Sequence, residues 1–147
     1  MDKKDYLKIK KIFKNKKVLV TGHTGFKGSW LTAWLVLLGA KVSGLSINTP
    51  SNPSHFKAAN LKGKINHKNL DIRNLKLLKK TVKKYQPDFV FHLAAQALVK
   101  KSYLNPIYTW ETNTIGTLNI LESLRVLKKK CIVVLITSDK SYKNLEI

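Results

Sequence analysis

The chain has 147 residues, of which 44% are hydrophobic, and it carries a formal net charge of +20 from 28 basic and 8 acidic residues. This length and apolar content can bury the core of one globular domain. No apolar run reaches the roughly 18 residues that span a bilayer, and no signal-peptide pattern precedes the first predicted strand. The single cysteine, Cys131, excludes a disulfide framework and favours a reducing cytoplasm.

The positive charge comes almost entirely from lysine. Arg73 and Arg125 are the only arginines among the 28 basic residues. Proteins that read bases rely on arginine pairs and on helix-turn-helix, zinc-finger or aromatic stacking patterns, none of which is recognisable here. The sequence therefore predicts no specific nucleic-acid partner, although non-specific attraction to polyanions is expected at low salt.

Residues 1–16 are predicted to form a basic leader helix. Eight lysines fall within the first 17 residues, and Tyr6, Ile9 and Phe13 recur at helical spacing on one face. A lysine-rich solvated helix docked beside the first strand is the favoured interpretation. A membrane-surface or polyanion-binding helix stays open, and with it a non-catalytic basic binding module as the alternative function.

The first predicted strand runs from Lys17 to Thr21 and ends in evenly spaced glycines. Gly22, Gly25 and Gly28 form G-x-x-G-x-x-G ahead of an apolar helix predicted for 29–38. A strand, a glycine turn and a helix N-terminus direct backbone N–H groups and the positive end of the helix dipole toward one place. The pattern predicts a dinucleotide site, with a tight turn at the first glycine, pyrophosphate approach at the second and close helix–sheet packing at the third.

Strand and helix patterns alternate along the rest of the chain, with a polar, proline-containing loop at 48–56. Strands separated by helices imply right-handed parallel βαβ units. We therefore predict an α/β fold for residues 17–147: a Rossmann-type parallel sheet of about five strands in the order 3-2-1-4-5, with helices on both faces and an incomplete C-terminal side. The remaining predicted strands cover 41–47, 65–71, 88–93 and 131–137, and the remaining predicted helices cover 74–85 and 107–130, the latter interrupted near Gly116.

Several motifs together carry a specific resemblance. VLVTGHTGFKGSWL, DIRN, VFHLAAQALVKKSYLNP, ETNTIGTLNILE and ITSDKSY occur in this order. The chain resembles the extended short-chain dehydrogenases/reductases and, through GHTGFKGSW, HLAAQ and TSDK, most resembles the CDP-glucose 4,6-dehydratases. The resemblance implies tightly held NAD, a nucleotide-sugar substrate and a homo-oligomer. It also implies the reaction: oxidation at C4 of the hexose, loss of water across C5 and C6, and return of hydride to C6.

The resemblance implies roles for individual residues as well. It assigns pyrophosphate binding to the glycine turn, adenine contacts to the DIRN motif, and a surface beneath the cofactor to the HLAAQ motif, with Asn113 fixing the following helix. The implied cofactor residues are Gly22, His23, Thr24, Gly25, Phe26, Lys27, Gly28, Asp71, Ile72, Leu93, Ala94, Ala95, Gln96 and Asn113; no metal is implied.

Ser138, Asp139 and Lys140 are the implied catalytic residues. In the family pattern they polarise the C4 hydroxyl, protonate the departing C6 hydroxyl and take the C5 proton, respectively. Independently of the resemblance, the three follow a predicted strand, where ligands of open α/β sheets bind, although a plain strand-ending turn would use the same residue types. His92 is predicted to be a buried core histidine, and the three tryptophans are predicted to be packing residues.

Two features depart from the family pattern. No carboxylate lies between Asp5 and Asp71, so the acid that usually holds the NAD ribose is absent; Ser46 and Asn48 are the nearest polar residues, and NADP is not excluded. The catalytic Tyr-x-x-x-Lys pair is also absent after the fifth strand. We therefore expect the chain to be the N-terminal portion of a dehydratase, inactive alone and completed by a C-terminal chain.

Overall fold

The computed structural model describes residues 2–138 and contains a five-stranded, fully parallel sheet. The strand order is β3-β2-β1-β4-β5, which confirms the predicted Rossmann order. Parallel neighbours require crossovers, and helices supply them on both faces of the sheet. The strands are β1 (Lys17–Thr21), β2 (Lys41–Ser46), β3 (Asn66–Asn69), β4 (Phe89–His92) and β5 (Ile132–Leu135).

Within the described residues, seven α-helices, one 3-10 turn and one π-turn accompany these strands, and all except the first helix lie between strands. The last three helical segments before β5 form one continuous rod. The helices are α1 (Lys3–Phe13), α2 (Phe26–Leu37), α3 (His55–Ala58), α4 (Leu75–Tyr85), α5 (Val99–Leu104), α6 (Pro106–Trp110) and α7 (Gly116–Leu124), with a 3-10 turn at Leu61–Lys64 and a π-turn at Glu111–Ile115.

The central strand β1 organises two apolar cores. Its residues Val18, Leu19 and Val20 are fully buried, because helices cover both faces of the sheet. Alternate side chains of a strand point to opposite faces. Val18 and Val20 therefore pack with Leu35 of α2 on one face. Leu19 packs on the other face with a cluster drawn mainly from α4, β4 and α7: Leu78, Val82, Val90 and Ile120.

Two parts of the long C-terminal helix differ from the prediction. The helix continues through the predicted interruption, because a π-turn at Glu111–Ile115 absorbs one extra residue there. Gly116 follows directly and is buried against Ile72, where a Cβ would lie 2.6 Å from the Ile72 Cδ1 atom. The helix ends at Leu124 instead of residue 130, because the lysines at 128–130 offer no apolar period to extend it.

The leader forms α1, and Asp2 caps it by accepting a hydrogen bond from the Asp5 N–H at 2.7 Å. None of its residues is buried. Its contact with the core is Phe13, whose ring lies 5.0 Å from that of Phe89 and 6.2 Å from that of Phe91. The helix thus joins the amino end of the sheet. Among residues 2–138, no helix combines the length and apolarity that crossing a membrane requires.

Because α4 buries only one of its faces, we expect two neighbouring leucines of this helix to contribute very differently to the free energy of unfolding. Leu78 is fully buried, whereas Leu77 is 46% exposed. Leu78→Ala should lower the free energy of unfolding by about 2–5 kcal/mol through lost burial and a residual cavity. Leu77→Ala should lower it by less than about 1 kcal/mol. Urea titration of both variants measures the difference, and equal losses would contradict this assignment of the core.

Candidate functional site

The candidate site lies at the carboxyl ends of β1 and β4. From β1 the chain crosses to β2 on one side, and later to β4 on the other, so this pair is the point where the strand order reverses. In open parallel sheets the crevice at such a point is where ligands bind. The glycine turn, the segment after β4 and the end of β5 all meet at this edge.

Gly22 makes the turn at the end of β1 and tolerates no side chain. Its φ is +73°, and a Cβ would lie 2.7 Å from the Ala94 nitrogen and 2.8 Å from the Leu93 carbonyl carbon. Its N–H donates to the Leu45 carbonyl at 2.8 Å. Gly22 is therefore required both by backbone conformation and by the close approach of the segment after β4.

Gly28 and Gly25 have different surroundings. A Cβ on Gly28 would lie 2.1 Å from the Gly22 carbonyl oxygen, so this glycine lets the first turn of α2 rest on the backbone of the glycine turn. The sequence predicted that a glycine is needed here for close packing of the helix against the sheet. In the structure, the nearest contact of Gly28 is with the glycine turn instead. Gly25 has an ordinary φ of −70°, and a Cβ there would meet only the Gly22 carbonyl oxygen, at 3.3 Å. The space in front of Gly25 is otherwise open.

The N-terminus of α2 can accept an anion. Gly25 is its N-cap and makes no side-chain capping bond, and no acidic residue occupies the first turn. The first N–H groups of a helix have no partner within it and carry the positive end of the helix dipole. Phe26 and Lys27 are exposed beside them, with Phe26 76% exposed. The ammonium group of Lys27 adds positive charge to the same end.

His23 and Thr24 contribute their backbone to the turn, while their side chains lie beneath it. The His23 ring is fully buried, and its Nε2 lies 2.7 Å from Nδ1 of His67 on β3. Burial lowers the pKa of His23 to about 4. The Thr24 hydroxyl donates to the Asn48 carbonyl at 2.5 Å and so ties the turn to the loop after β2.

Asp71 and Ile72 point in different directions. Ile72 is 4% exposed and belongs to the core. The Asp71 carboxylate pairs with Arg73 at 2.7 Å, and Arg73 also reaches Glu111 at 2.9 Å and stacks over the Tyr108 ring. The hydrogen bonds from Arg73 lower the pKa of Asp71. This pair lines one side of an open surface depression of about 620 Å³ between the start of α4 and the π-turn.

The segment after β4 is held by an amide pair. The Gln96 N–H donates to Asn113 Oδ1 at 2.7 Å, and Asn113 Nδ2 donates back to the Gln96 carbonyl at 3.0 Å. The Gln96 side chain then donates to the Leu98 carbonyl and to the Thr109 hydroxyl. Leu93, Ala94, Ala95 and Gln96 thus form a fixed strip of backbone between the glycine turn and the long helix.

His92 lies beneath this strip in a chain of hydrogen bonds whose direction is fully determined. The single hydrogen of the Thr117 hydroxyl goes to the Asn113 carbonyl at 2.7 Å, so the Thr117 oxygen accepts from His92 Nε2 at 3.0 Å. The neutral His92 ring therefore carries its proton on Nε2, and its Nδ1 accepts from the Thr21 hydroxyl at 2.6 Å. The Thr21 hydroxyl oxygen accepts from the Ala94 N–H at 3.2 Å, whereas the Leu93 N–H is shared between this oxygen at 3.2 Å and the Thr21 carbonyl at 3.1 Å.

This network confirms His92 as a satisfied core histidine. It is 3% exposed, and burial lowers its pKa to about 4, so the ring is neutral at pH 7. Thr21 and Thr117 were not identified from the sequence, because a threonine at the end of a strand or within a helix carries no distinguishing pattern. The role of Arg73 was not identified either, because its partner Glu111 lies 38 residues away in the sequence.

The predicted catalytic residues follow β5. β5 pairs with β4, and the Ile136 N–H donates to the His92 carbonyl at 3.0 Å, so the chain leaves the sheet beside the strip after β4. Ser138 is exposed at this edge. Asp139 and Lys140 lie outside the described residues.

A family model and a characterised relative both match this chain as a dehydratase. The family model described as GDP-mannose 4,6 dehydratase matches residues 19–146. The chain is 44% identical to the CDP-glucose 4,6-dehydratase of Salmonella typhimurium over 137 residues, which cover 93% of this chain and 38% of that protein.

Solved structures of epimerases share the fold. An epimerase from Methanothermobacter thermautotrophicus matches with a TM-score of 0.78 and 28% identity, over 95% of this chain and 40% of that one. The UDP-glucose 4-epimerase of Thermus thermophilus, in complex with NAD, matches with a TM-score of 0.65 and 32% identity, over 74% of this chain and 33% of that one. The chain thus spans about two fifths or less of these relatives' lengths.

The two buried histidines predict a pH-dependent stability. Both His23 and His92 have a folded-state pKa of about 4, below the ordinary 6.5. Between these values the unfolded chain binds protons that the folded chain does not, so the free energy of unfolding should fall as pH falls from about 6.5 to 4, by roughly 3 kcal/mol per ring.

Urea titrations at pH 7.5 and 4.5 measure this loss, and ring NMR shifts follow each histidine. The His92→Gln variant keeps hydrogen-bonding groups but does not titrate. Its free energy of unfolding should therefore lack the part of the pH dependence that His92 contributes. Protonation of the His92 ring near pH 6.5 would contradict the hydrogen-bond chain described above.

Proposed function

The chain belongs to the GDP-mannose 4,6 dehydratase family, and from that membership we propose that it is the dinucleotide-binding part of a nucleotide-sugar 4,6-dehydratase that acts on CDP-glucose. The observation that carries this proposal is the glycine turn, which places an open, side-chain-free backbone and a helix N-terminus at the switch point of the sheet. The identity to a CDP-glucose 4,6-dehydratase supports the choice of substrate. The family match favours this function over the basic binding module that composition left open.

NAD is the cofactor in this proposal, and the turn fits its pyrophosphate. A pyrophosphate needs backbone N–H donors and space that no Cβ fills. The first turn of α2 carries such N–H groups, and Gly25 leaves the space in front of them open. The strip from Leu93 to Gln96 would support the cofactor from below, and the end of β2 would meet its ribose. When bound, NAD supplies the hydride acceptor for the C4 carbon and later returns the hydride.

At the end of β2 the ribose would meet neutral groups. Ser46 is 9% exposed and Asn48 is exposed, and no carboxylate occurs between residues 5 and 71. An amide and a hydroxyl can hydrogen-bond to ribose hydroxyls as a carboxylate does, but without its charge. The preference for NAD would therefore rest on fit to these neutral groups, and not on the carboxylate that usually repels a 2′-phosphate.

Ser138, Asp139 and Lys140 carry the proposed proton chemistry. Ser138 would donate a hydrogen bond to the C4 oxygen of the hexose as it becomes a carbonyl. Asp139 would give a proton to the C6 hydroxyl as it leaves as water, and Lys140 would take the proton from C5. The position of Ser138 at the ligand edge of the sheet supports this assignment.

One proposed catalytic group must come from elsewhere. The 147 residues contain the Tyr-x-x-x-Lys spacing only at Tyr6 and Lys10. These lie on α1, which joins the sheet at its amino end through Phe13, whereas the glycine turn lies at the carboxyl end. We propose that a complementing C-terminal part supplies the tyrosine base for C4 and the sugar-binding region.

We also propose that the active enzyme is a homo-oligomer. Its compartment would be the cytoplasm, which the single cysteine favours.

Replacement of Gly25 tests the pyrophosphate site. Gly25→Val should reduce NAD affinity at least about 100-fold, because the added side chain would occupy the space in front of the α2 N–H groups. The fold should persist, since Gly25 has an ordinary φ and a single close neighbour. Calorimetric titration with NAD measures the change.

Gly63→Val is the matched control. A Cβ on Gly63 would approach no atom outside its chain neighbours closer than the Asn60 side chain, at 3.8 Å, so this variant should bind NAD as the unmodified chain does. Unchanged NAD affinity in folded Gly25→Val would contradict the assignment of the glycine turn.

A chimera tests the reaction. Residues 1–147 should give no 4-keto-6-deoxy product from CDP-glucose by themselves. When residues 1–147 replace the matching segment of the full-length Salmonella relative, the resulting chimera should be an active enzyme. Within the chimera, Asp139→Asn and Lys140→Met should each lower turnover about 100- to 10,000-fold, the usual effect of losing a proton-transfer group. Turnover by residues 1–147 alone, or full turnover by both variants, would overturn the proposed roles.

A further inference from the structure

The fold collects lysines from four separate segments of the chain at the amino end of the sheet. Parallel strands all begin at one end of a sheet, so the residues that precede each strand are brought together there. Fourteen lysines precede or open β1, β2, β4 and β5 in this way. We call this surface the basic end. It consists of the eight lysines of residues 3–17, Lys41, Lys83, Lys84 and the lysine run 128–130.

Hydrogen bonds join the segments of the basic end to one another. The Lys41 N–H donates to the Lys16 carbonyl at 2.8 Å, which ties the start of β2 to the residues before β1. The Asp88 carboxylate accepts from the Lys17 N–H at 2.8 Å and pairs with the Lys129 ammonium, so it connects the starts of β1 and β4 to the segment before β5. The backbone that carries these lysines is therefore fixed by the sheet.

Helix α1 docks on the sheet with one side and presents lysines on the other. The inner side is half-buried and contacts the core through Phe13. The opposite side carries Lys4, Lys8 and Lys11, all exposed, at intervals of four and three residues that place them in one row along the helix. The docked helix and the basic surface helix that the sequence left open are therefore compatible in one arrangement.

Few carboxylates balance the charge of the basic end. Its segments contain the acidic residues Asp2, Asp5 and Asp88. The Asp2 carboxylate caps α1, and the Asp88 carboxylate pairs with Lys129. Among residues 2–138, Lys129 is the only lysine of the basic end that forms a salt bridge. A surface with so many uncompensated ammonium groups attracts an extended anionic surface.

The side chains between the lysines favour a lipid bilayer over a nucleic acid. Leu7 is 54% exposed and Ile12 is 46% exposed, both beside the lysine row of α1. Apolar side chains next to lysines can enter the boundary between lipid headgroups and acyl chains. Non-specific binding of single-stranded nucleic acid uses exposed aromatic rings as stacking platforms. At the basic end, the Phe13 ring packs on the core, and the Tyr85 hydroxyl donates to the Lys41 carbonyl.

From these observations we propose that the basic end is a docking surface for the anionic headgroups of a lipid bilayer. The glycine turn lies at the opposite end of β1, a strand of five residues and therefore about 16 Å long. A docked chain would thus keep the ligand edge of its sheet directed away from the bilayer and open to water-borne ligands. The inference uses residues outside the dinucleotide site and does not depend on the enzymatic function proposed above.

Cosedimentation of residues 1–147 with vesicles tests the docking surface. At physiological ionic strength the chain should bind phosphatidylcholine vesicles that contain roughly one third phosphatidylglycerol, and should not bind vesicles of phosphatidylcholine alone. The triple variant Lys4→Gln, Lys8→Gln, Lys11→Gln should bind the anionic vesicles about 100-fold more weakly, because each lysine near such a surface contributes about fivefold. Raising the salt to about 0.5 M should also weaken binding, since it screens exposed charges.

A second triple variant is the matched control. Lys57→Gln, Lys100→Gln, Lys101→Gln removes the same charge from α3 and α5, which follow the carboxyl ends of β2 and β4, and should bind anionic vesicles within about threefold of the unmodified chain. Circular dichroism verifies that both variants are folded, as expected because all six lysines are exposed. Equal losses in the two variants, no preference for anionic vesicles, or tight binding to a thymidine oligonucleotide that these vesicles fail to displace would each overturn the proposal.

Discussion

The close approach of α2 to the glycine turn is the constraint on which the rest of the site depends. The absence of a Cβ at Gly28 allows the first turn of the helix to rest on the Gly22 carbonyl, and its absence at Gly22 allows the strip after β4 to lie against the same turn. Three backbone segments therefore converge without side chains between them. Their convergence places a helix N-terminus at the edge where β1 and β4 end, which is the condition for binding an anion there.

A buried polar chain fixes this convergence in one arrangement. Thr21, His92 and Thr117 connect the ends of β1 and β4 to the long helix, and each hydrogen bond in the chain determines the direction of the next. An unsatisfied polar group at this depth would cost about 1–3 kcal/mol, so the strip can shift only if the network breaks. The low pKa of His92 follows from the same burial and keeps the ring neutral, while the hydrogen bonds to Thr21 and Thr117 fix its tautomer.

Sequence reasoning predicted the sheet order and the glycine turn because both arise from local patterns. Apolar runs in alternation with helical periods define a parallel sheet, and glycine spacing defines the turn. It could not place Arg73 with Glu111, or His23 with His67, because those contacts join distant parts of the chain. It overestimated the helix beyond Leu124 and treated Trp30 and Trp34 as packing residues, since a residue pattern does not reveal which of two apolar helix faces meets the core.

The exposed faces of α2 and α1 show how charge and apolarity divide this surface. α1 presents lysines to solvent and contacts the core through one phenylalanine ring, whereas the outer face of α2 presents tryptophans and almost no charge. A strongly cationic protein resists association wherever lysines cover it. Because α2 also begins at the glycine turn, one helix presents its N-terminus to the anion site and an apolar row to the outer surface. The apolar content of α2 therefore exceeds what packing against the sheet requires, whereas the exposed side of α1 is mostly polar.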